Sequence, residues 1–417
     1  MSGNPRVSVI IPVYGTEQWV GKTIDCVLSQ TISNVEVICV EDCSPDGSGA
    51  IIDEAAARDP RVIAIHLPEN HGQGYARNEG LKIARGEYVY FLDSDDLCEP
   101  DTLELCADAC DADQLDGILF DAQSFSDDPE LMQAFGGNIQ PPRGTYSDGV
   151  TTGAELFEAL VSQFEYVSYP QRQIWRRSFL QSEGIDFPDA SAHEDELFAH
   201  VAFLTARRMR YLRKPLFLRR WREGSVMTSP HNAKGFYSYF VAYLGMMKFN
   251  REHHVTTYSA TINTARIYER LIIIYGIIGE EDLRPWFTTP EEQLLFDFFV
   301  ETQKVDLSYF AITVDLSVLK AARAAKRVFI YGAGVVGRRV ATCLGVSEIP
   351  IEGIVVTSKE GNPNALLGHR IVSFDELGDP QEGDFVVVAV SARWRNEIEA
   401  ALAAKGFHYA HYQDKDA

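Results

Sequence analysis

Short apolar runs alternating with amphipathic stretches set the strongest limit on how this chain can fold. From Arg6 to about Ala122, the runs Val7–Ile11, Val35–Val40, Val62–Leu67, Tyr88–Leu92 and Gly117–Phe120 are brief and bounded by turn residues. They are rich in β-branched or aromatic residues and read as buried strands. Between them, Glu17–Gln30 places Val20, Ile24, Val27 and Leu28 on one helical face, and Ser48–Arg58 and Gln73–Arg85 read as further helices. Strand alternating with helix predicts an α/β fold, a mostly parallel sheet with helices on both faces. Ligands of such sheets gather at the carboxyl ends of the strands.

Acidic residues fall at that edge. Glu41-Asp42 directly follow VEVICV, and Asp93-Ser94-Asp95-Asp96 directly follow YVYFL. Three aspartates within four residues repel one another unless a cation or solvent intervenes. Carboxylate oxygens suit a hard divalent ion, magnesium or manganese, shared with substrate phosphates. The same residues would also serve as a turn that caps the next helix.

Composition narrows the partners. The chain has 417 residues and a formal charge of −22, which disfavours nucleic acid as a ligand. Its seven cysteines are scattered, without a nearby histidine to complete a zinc-type cluster, and are expected to be reduced thiols. The N-terminus lacks the basic-apolar-small order of a secretory signal. The longest apolar stretch, Leu271 to Ile278, is far short of the roughly 20 residues a bilayer span requires. These features predict a soluble cytoplasmic protein.

Three parts are expected: 1–230, a mostly helical segment over 231–323, and a small α/β domain over 324–417. The stretch from Asp127 to Gly149 reads as a long surface loop. The third part opens with RVFIYGAGVVGRRVATCLG, a strand, a glycine-rich turn and a helix.

The ordered motifs PVYG (12–15), VEDCSPDGS (40–48), NHGQGYARNEG (70–80) and LDSDD (92–96) resemble the signature of glycosyltransferase family 2 on the GT-A fold. The resemblance covers roughly the first 225 residues. Gly15 stands where the family usually has asparagine, and Glu41 where it usually has aspartate. The resemblance implies a donor site for a nucleotide-diphosphate sugar. Tyr14 would lie along the base, with Pro12, Glu41 and Ser94 in the same donor set. Asp42 would accept a hydrogen bond from the imide edge of uracil, and Arg77 would sit nearby and keep Asp42 ionised. Asp93 would reach the ribose or the metal shell, and Asp95 would bind the Mn2+ or Mg2+ that bridges the diphosphate.

His193-Glu194-Asp195-Glu196 stands at the head of an amphipathic helix. Acidic residues there are favourable partners of the helix dipole. Family members carry a Glu-Asp pair at this distance from the metal motif, and the resemblance implies Asp195 as general base with Glu194 orienting the acceptor. Arg207–Arg222 holds eight basic residues in sixteen. A strand pair with solvated arginines and an anionic surface, nucleic acid or membrane, are two readings of that run. A third, carried by the resemblance, places Arg222, in Arg222-Glu223-Gly224-Ser225, near the donor diphosphate.

GAGVVG follows a strand and opens a helix, so Gly332, Gly334 and Gly337 form a possible second nucleotide site. The next strand, IEGIVV, ends in Thr357-Ser358-Lys359 rather than the acid that would bind the ribose of NAD. No Tyr-x-x-x-Lys pair occurs in 326–417. This tail loosely resembles the Rossmann-like nucleotide-sugar-binding modules found beside bacterial sugar-modifying enzymes, and reads as a binding or docking module.

The expected activity is inverting sugar transfer from a nucleotide-diphosphate donor, UDP-linked, to a glycan or lipid-linked acceptor in bacterial surface polysaccharide synthesis. Peripheral contact with the inner membrane face is an option. A nucleotide-dependent oxidoreductase centred on GAGVVG and a non-catalytic sugar-nucleotide scaffold are the alternatives.

Overall fold

The computed structural model describes residues 4–128, 146–163, 165–188, 192–222, 232–304, 316–346, 349–359, 365–390 and 392–412. The chain divides into two compact units, Met1–Thr289 and Pro290–Ala417.

The first unit is built on an eight-stranded sheet. Its strands are β1 (Val7–Val13), β2 (Val35–Glu41), β3 (Val62–His66), β4 (Tyr88–Phe91), β5 (Leu97–Cys98), β6 (Gly117–Phe125), β7 (Gln173–Arg176) and β8 (Met209–Arg220). They lie in the order β3-β2-β1-β4-β7-β6-β8-β5. The strands from β3 to β4 are mutually parallel. Strand β7 then enters antiparallel between β4 and β6, β8 runs parallel to β6, and β5 closes antiparallel on β8. The sheet is therefore mixed, with its parallel half where the sequence predicts it.

Side chains alternate along β1 with the two-residue period of a strand. Val7, Val9, Ile11 and Val13 join one core with Val20, Ile24 and Val27 of helix α1 (Val20–Leu28). Ile10 faces the other core, with Ala76 of helix α3 (Gln73–Ile83) and Phe198 of a later helix. Helix α2 (Ser48–Arg58) lies between β2 and β3 in sequence, and α4 (Thr102–Asp113) precedes β6. Gly80 lets α3 approach the sheet closely: a Cβ there would stand 2.5 Å from Ile10 Cγ2. That approach fixes the helix that carries Arg77.

Beyond β6 come helices α5 (Gly153–Ser162), α6 (Arg177–Glu183), α7 (Glu194–Thr205), α8 (Ala233–Glu252) and α9 (Tyr258–Ile278). Helix α7 is tied to α8 and α9 by the buried His200. Asn263 Nδ2 donates to His200 Nδ1 at 3.2 Å, and His200 Nε2–H donates to Asn250 Oδ1 at 2.9 Å. The helices expected over 231–323 thus contribute α8 and α9 to the first unit and Pro290–Lys304 and Leu316–Ala324 to the second.

The second unit has strands β9 (Arg327–Tyr331), β10 (Gly353–Val356), β11 (Ala365–Leu366), β12 (His369–Ser373), β13 (Asp384–Val388) and β14 (His408–His411). The sheet order is β11-β12-β10-β9-β13-β14, all parallel except the edge pair β11·β12. This is the 3-2-1-4-5 succession of a Rossmann-type sheet, with the glycine-rich turn after the central first strand. All seven cysteines are free, and no helix among the described residues is long and apolar enough to cross a membrane.

Candidate active site

The carboxyl ends of β1, β2 and β4 open into one cavity of about 410 Å³, lined also by the segment before β7, the start of α7, the end of β8 and the start of α8. Pro12, Tyr14, Asp42, Arg77, Asp93, Ser94, Asp95, Glu194, Asp195 and Arg222 all line it. Ten of the residues singled out from sequence thus meet in one place. Glu41 is not in the lining: its carboxylate accepts from the Ser44 backbone and lies 3.4 Å from His66 Nδ1.

Asp42 is buried, and its two oxygens accept from the backbone N–H groups of His71 (2.8 Å) and Gly72 (2.7 Å). It therefore holds the turn that launches α3. Arg77, four residues into that helix, is fully buried and lies over the Phe187 ring. Its expected partner was Asp42, but its guanidinium instead donates to Asp93 Oδ1 at 2.7 Å and to Glu194 Oε1. Arg77 thus joins the turn after β4 to the head of α7.

The aspartate turn is held from several sides. Thr16 Oγ1 donates to Ser94 Oγ at 3.0 Å, and Gln171 Nε2 donates to Asp93 Oδ2 at 2.6 Å. Arg222, stacked over Trp19, donates through Nε to Asp95 Oδ2 at 2.6 Å. Burial pushes the Asp95 carboxyl up, Arg222 pulls it down, and the neighbouring Asp93 pushes it up again. Asp96 is turned inward onto the Arg220 backbone N–H, and burial raises it well above the usual carboxylate range, with Asp95 and Asp93 adding to the rise.

Glu194 and Asp195 behave differently although adjacent. Glu194 is fully buried, and its second oxygen has no hydrogen-bond partner among the described residues. Burial pushes its carboxyl up to about 7, against the pull of the Arg77 guanidinium and with further push from Asp195. Asp195 is half-buried in the cavity wall and accepts from Ser168 Oγ at 2.9 Å through Oδ2. The preceding His193 has a left-handed φ of 55° and stacks on Tyr239.

The basic run divides. Arg208 and Arg210 are absorbed by carbonyls and by Asp113 at the far end of β8. Arg219, Arg220 and Arg222, at its carboxyl end, line the cavity. Glu223, Gly224 and Ser225 lie outside the described residues, as does most of the 127–149 stretch. Sequence reasoning missed Ser168, Tyr169, Gln171 and Lys234. The first three precede a strand too short to announce itself, and Lys234 sits one residue into α8 with no motif around it.

Among the described residues no group of three or more histidine, cysteine or acidic side chains is poised to hold a metal. Asp93 and Asp95 nevertheless fit an ion of the magnesium type, which is often held by one or two carboxylates and completed by phosphates and water.

In the second unit, two of the three glycines are required by packing. Gly332 has φ of 126°, and a Cβ there would stand 2.4 Å from the Ala389 carbonyl oxygen. A Cβ on Gly337 would meet the Gly332 oxygen at 1.7 Å, whereas Gly334 faces open space. Lys359 is paired with Glu376 at 2.5 Å.

Known proteins resemble this chain in sequence and in fold. Residues 8–150 match the family described as Glycosyl transferase family 2. The uncharacterized glycosyltransferase EpsJ of Bacillus subtilis (strain 168) is 34% identical over 232 residues, 54% of this chain and 64% of the relative. The succinoglycan biosynthesis protein ExoO of Rhizobium meliloti (strain 1021) is 38% identical over 127 residues, 29% of this chain and 36% of the relative. The chain thus spans less than two thirds of either relative. The crystal structure of S. aureus TarS 1-349 in complex with UDP-GlcNAc superposes with a TM-score of 0.51 at 24% identity, covering 69% of this chain and 77% of that one. Its likeness is one of fold, the GT-A fold. Residues 8–150 of the chain are thus similar to glycosyl transferase family 2.

Proposed function

We propose that the protein transfers a sugar from a UDP-linked donor to an acceptor hydroxyl with inversion at the anomeric carbon. One observation carries this reading: the strand-end residues Asp42, Asp93 and Asp95 share a single cavity with Asp195, a carboxylate at the head of α7. The TarS structure, solved with UDP-GlcNAc, makes UDP-sugars the first donors to test.

In this reading Tyr14, half exposed at the rim, stacks against the base, and Asp42 meets its imide edge. Arg219 and Arg222 face the diphosphate. Asp95 and Asp93 would hold a divalent ion, which when bound supplies Lewis-acid stabilisation of the leaving diphosphate. Asp195 takes the proton from the acceptor hydroxyl as that oxygen attacks from the face opposite the diphosphate. Its Oδ1 is the accepting atom, since Oδ2 already receives the Ser168 hydroxyl. Glu194 sits behind it and sets the field through Arg77. Such a product would suit bacterial surface polysaccharide synthesis, and the relative ExoO is named for succinoglycan biosynthesis. The second unit serves as a nucleotide-sugar-binding or docking module.

Thermal melting against a panel of nucleotide sugars tests the proposal. A UDP-sugar with manganese should raise the melting temperature, and excess chelator should abolish the rise. Identical melting with every nucleotide sugar would contradict it.

A further inference from the structure

Six consecutive residues, Ser168-Tyr169-Pro170-Gln171-Arg172-Gln173, include four buried polar side chains: Ser168, Gln171, Arg172 and Gln173. Burying polar groups costs free energy unless each finds a partner. All four do, and the partners divide into two sets.

The first set anchors the segment. Arg172 Nε donates to the Phe120 carbonyl at 2.9 Å and Nη2 reaches Asp121 at 3.3 Å. Gln173 Nε2 donates back to the carbonyls of Ser168 (3.2 Å) and Tyr169 (3.1 Å), and Tyr90 OH donates to the Gln171 carbonyl at 3.0 Å. A short 3-10 turn, Pro170–Arg172, is thereby pinned to the central strands.

The second set faces the cavity. Ser168 Oγ donates to Asp195 Oδ2, and Gln171 Nε2 donates to Asp93 Oδ2. Two side chains three residues apart on one pinned turn therefore touch carboxylates on two different elements of the site, the head of α7 and the turn after β4.

We propose that this turn is the positioning element of the active site, with Ser168 orienting Asp195 and Gln171 orienting Asp93. The inference rests on the sugar-transfer reading above. Each donor occupies one oxygen of its carboxylate and so fixes the direction of the other. For Asp195 that leaves Oδ1 aimed for proton abstraction. For Asp93 it holds the carboxylate between Gln171 and Arg77, so the aspartate turn is set before the donor arrives.

The two positions should fail in different ways. With the full chain, UDP release from the best-stabilising UDP-sugar is measured alongside calorimetric binding of UDP with manganese. Ser168→Ala should lower kcat about 10- to 100-fold, the size expected for a misaligned reacting group. Its UDP affinity should stay within about twofold. Ser168→Thr, which keeps the hydroxyl, should restore most of the rate. Gln171→Met, which keeps the volume but loses the donor, should weaken UDP–manganese binding about tenfold, the size of one hydrogen bond to a charged group. A Ser168→Ala enzyme with wild-type kcat, or two variants with the same kinetic signature, overturns the inference. A wild-type protein that releases no UDP from any donor overturns instead the reading on which it rests. If Gln171→Met fails to fold, the Ser168 pair decides alone.

Discussion

Glu194→Gln separates the electrostatics of the buried head of α7 from its chemistry. The carboxyl is fully buried, bonded to Arg77 through one oxygen and, among the described residues, unpartnered at the other. Burial raises it from 4.5 to about 7. A raised carboxyl binds more protons in the folded than in the unfolded chain between those values, so its contribution to stability is present below pH 4.5 and is lost as pH rises through 7. At ~1.4 kcal/mol per unit, the full loss is about 3 kcal/mol, of which about 2 to 3 kcal/mol falls between pH 5 and 8. Glutamine cannot titrate and keeps the shape. The assay is urea unfolding of both proteins at several pH values, followed by tryptophan fluorescence, to which the buried Trp175 contributes. Subtracting the two curves cancels the other titrating groups. The wild type should lose about 2 to 3 kcal/mol relative to Glu194→Gln on going from pH 5 to pH 8. A difference that does not vary with pH would refute the reasoning and place Glu194 as an ordinary ionised partner of Arg77.

Two further outcomes follow from side chains away from the chemistry. His200 is buried and neutral, and burial lowers it to about 4, so the unfolded chain takes up a proton below 6.5 that the folded chain refuses. Stability should fall by about 3 kcal/mol as pH drops from 6.5 to 4, and His200→Gln should flatten that acid limb in the same unfolding experiment. In the second unit, Gly337→Ala forces a Cβ against the Gly332 oxygen and should destabilise that unit by at least about 1–3 kcal/mol. Gly334→Ala has room and should leave its melting temperature unchanged. If the turn approaches a phosphate, Gly334→Ala should still weaken nucleotide binding by calorimetry.

The parallel half of the first sheet was legible because each of its strands is a short apolar run ended by turn residues or acids. Asp42, Asp93 and Asp95 were legible for the same reason: a carboxylate directly after a buried parallel strand has to emerge at the ligand edge. Strand β7 was not. Gln173–Arg176 has only Ile174 and Trp175 as apolar residues, and its place between β4 and β6 depends on pairing partners more than fifty residues away. The role of Arg77 was half legible. Its motif placed it in the site, but its choice of Glu194 over Asp42 depends on how α7 docks, which local sequence does not encode. The 168–173 turn carried the least signal, because a polar run containing proline reads as surface loop until its partners are known. The basic run along β8 misled in proportion to its charge: composition treats its arginines alike, whereas strand geometry sends some to Asp113 and others to the cavity.

The most direct test of the account compares wild type and Asp195→Asn in UDP release from a UDP-sugar at saturating donor and manganese. Asparagine keeps the shape and can still accept the Ser168 hydroxyl but cannot take a proton, and loss of a general base costs about 100- to 10,000-fold. The account predicts a loss of that size in kcat with donor affinity unchanged. Near wild-type turnover by Asp195→Asn would contradict it.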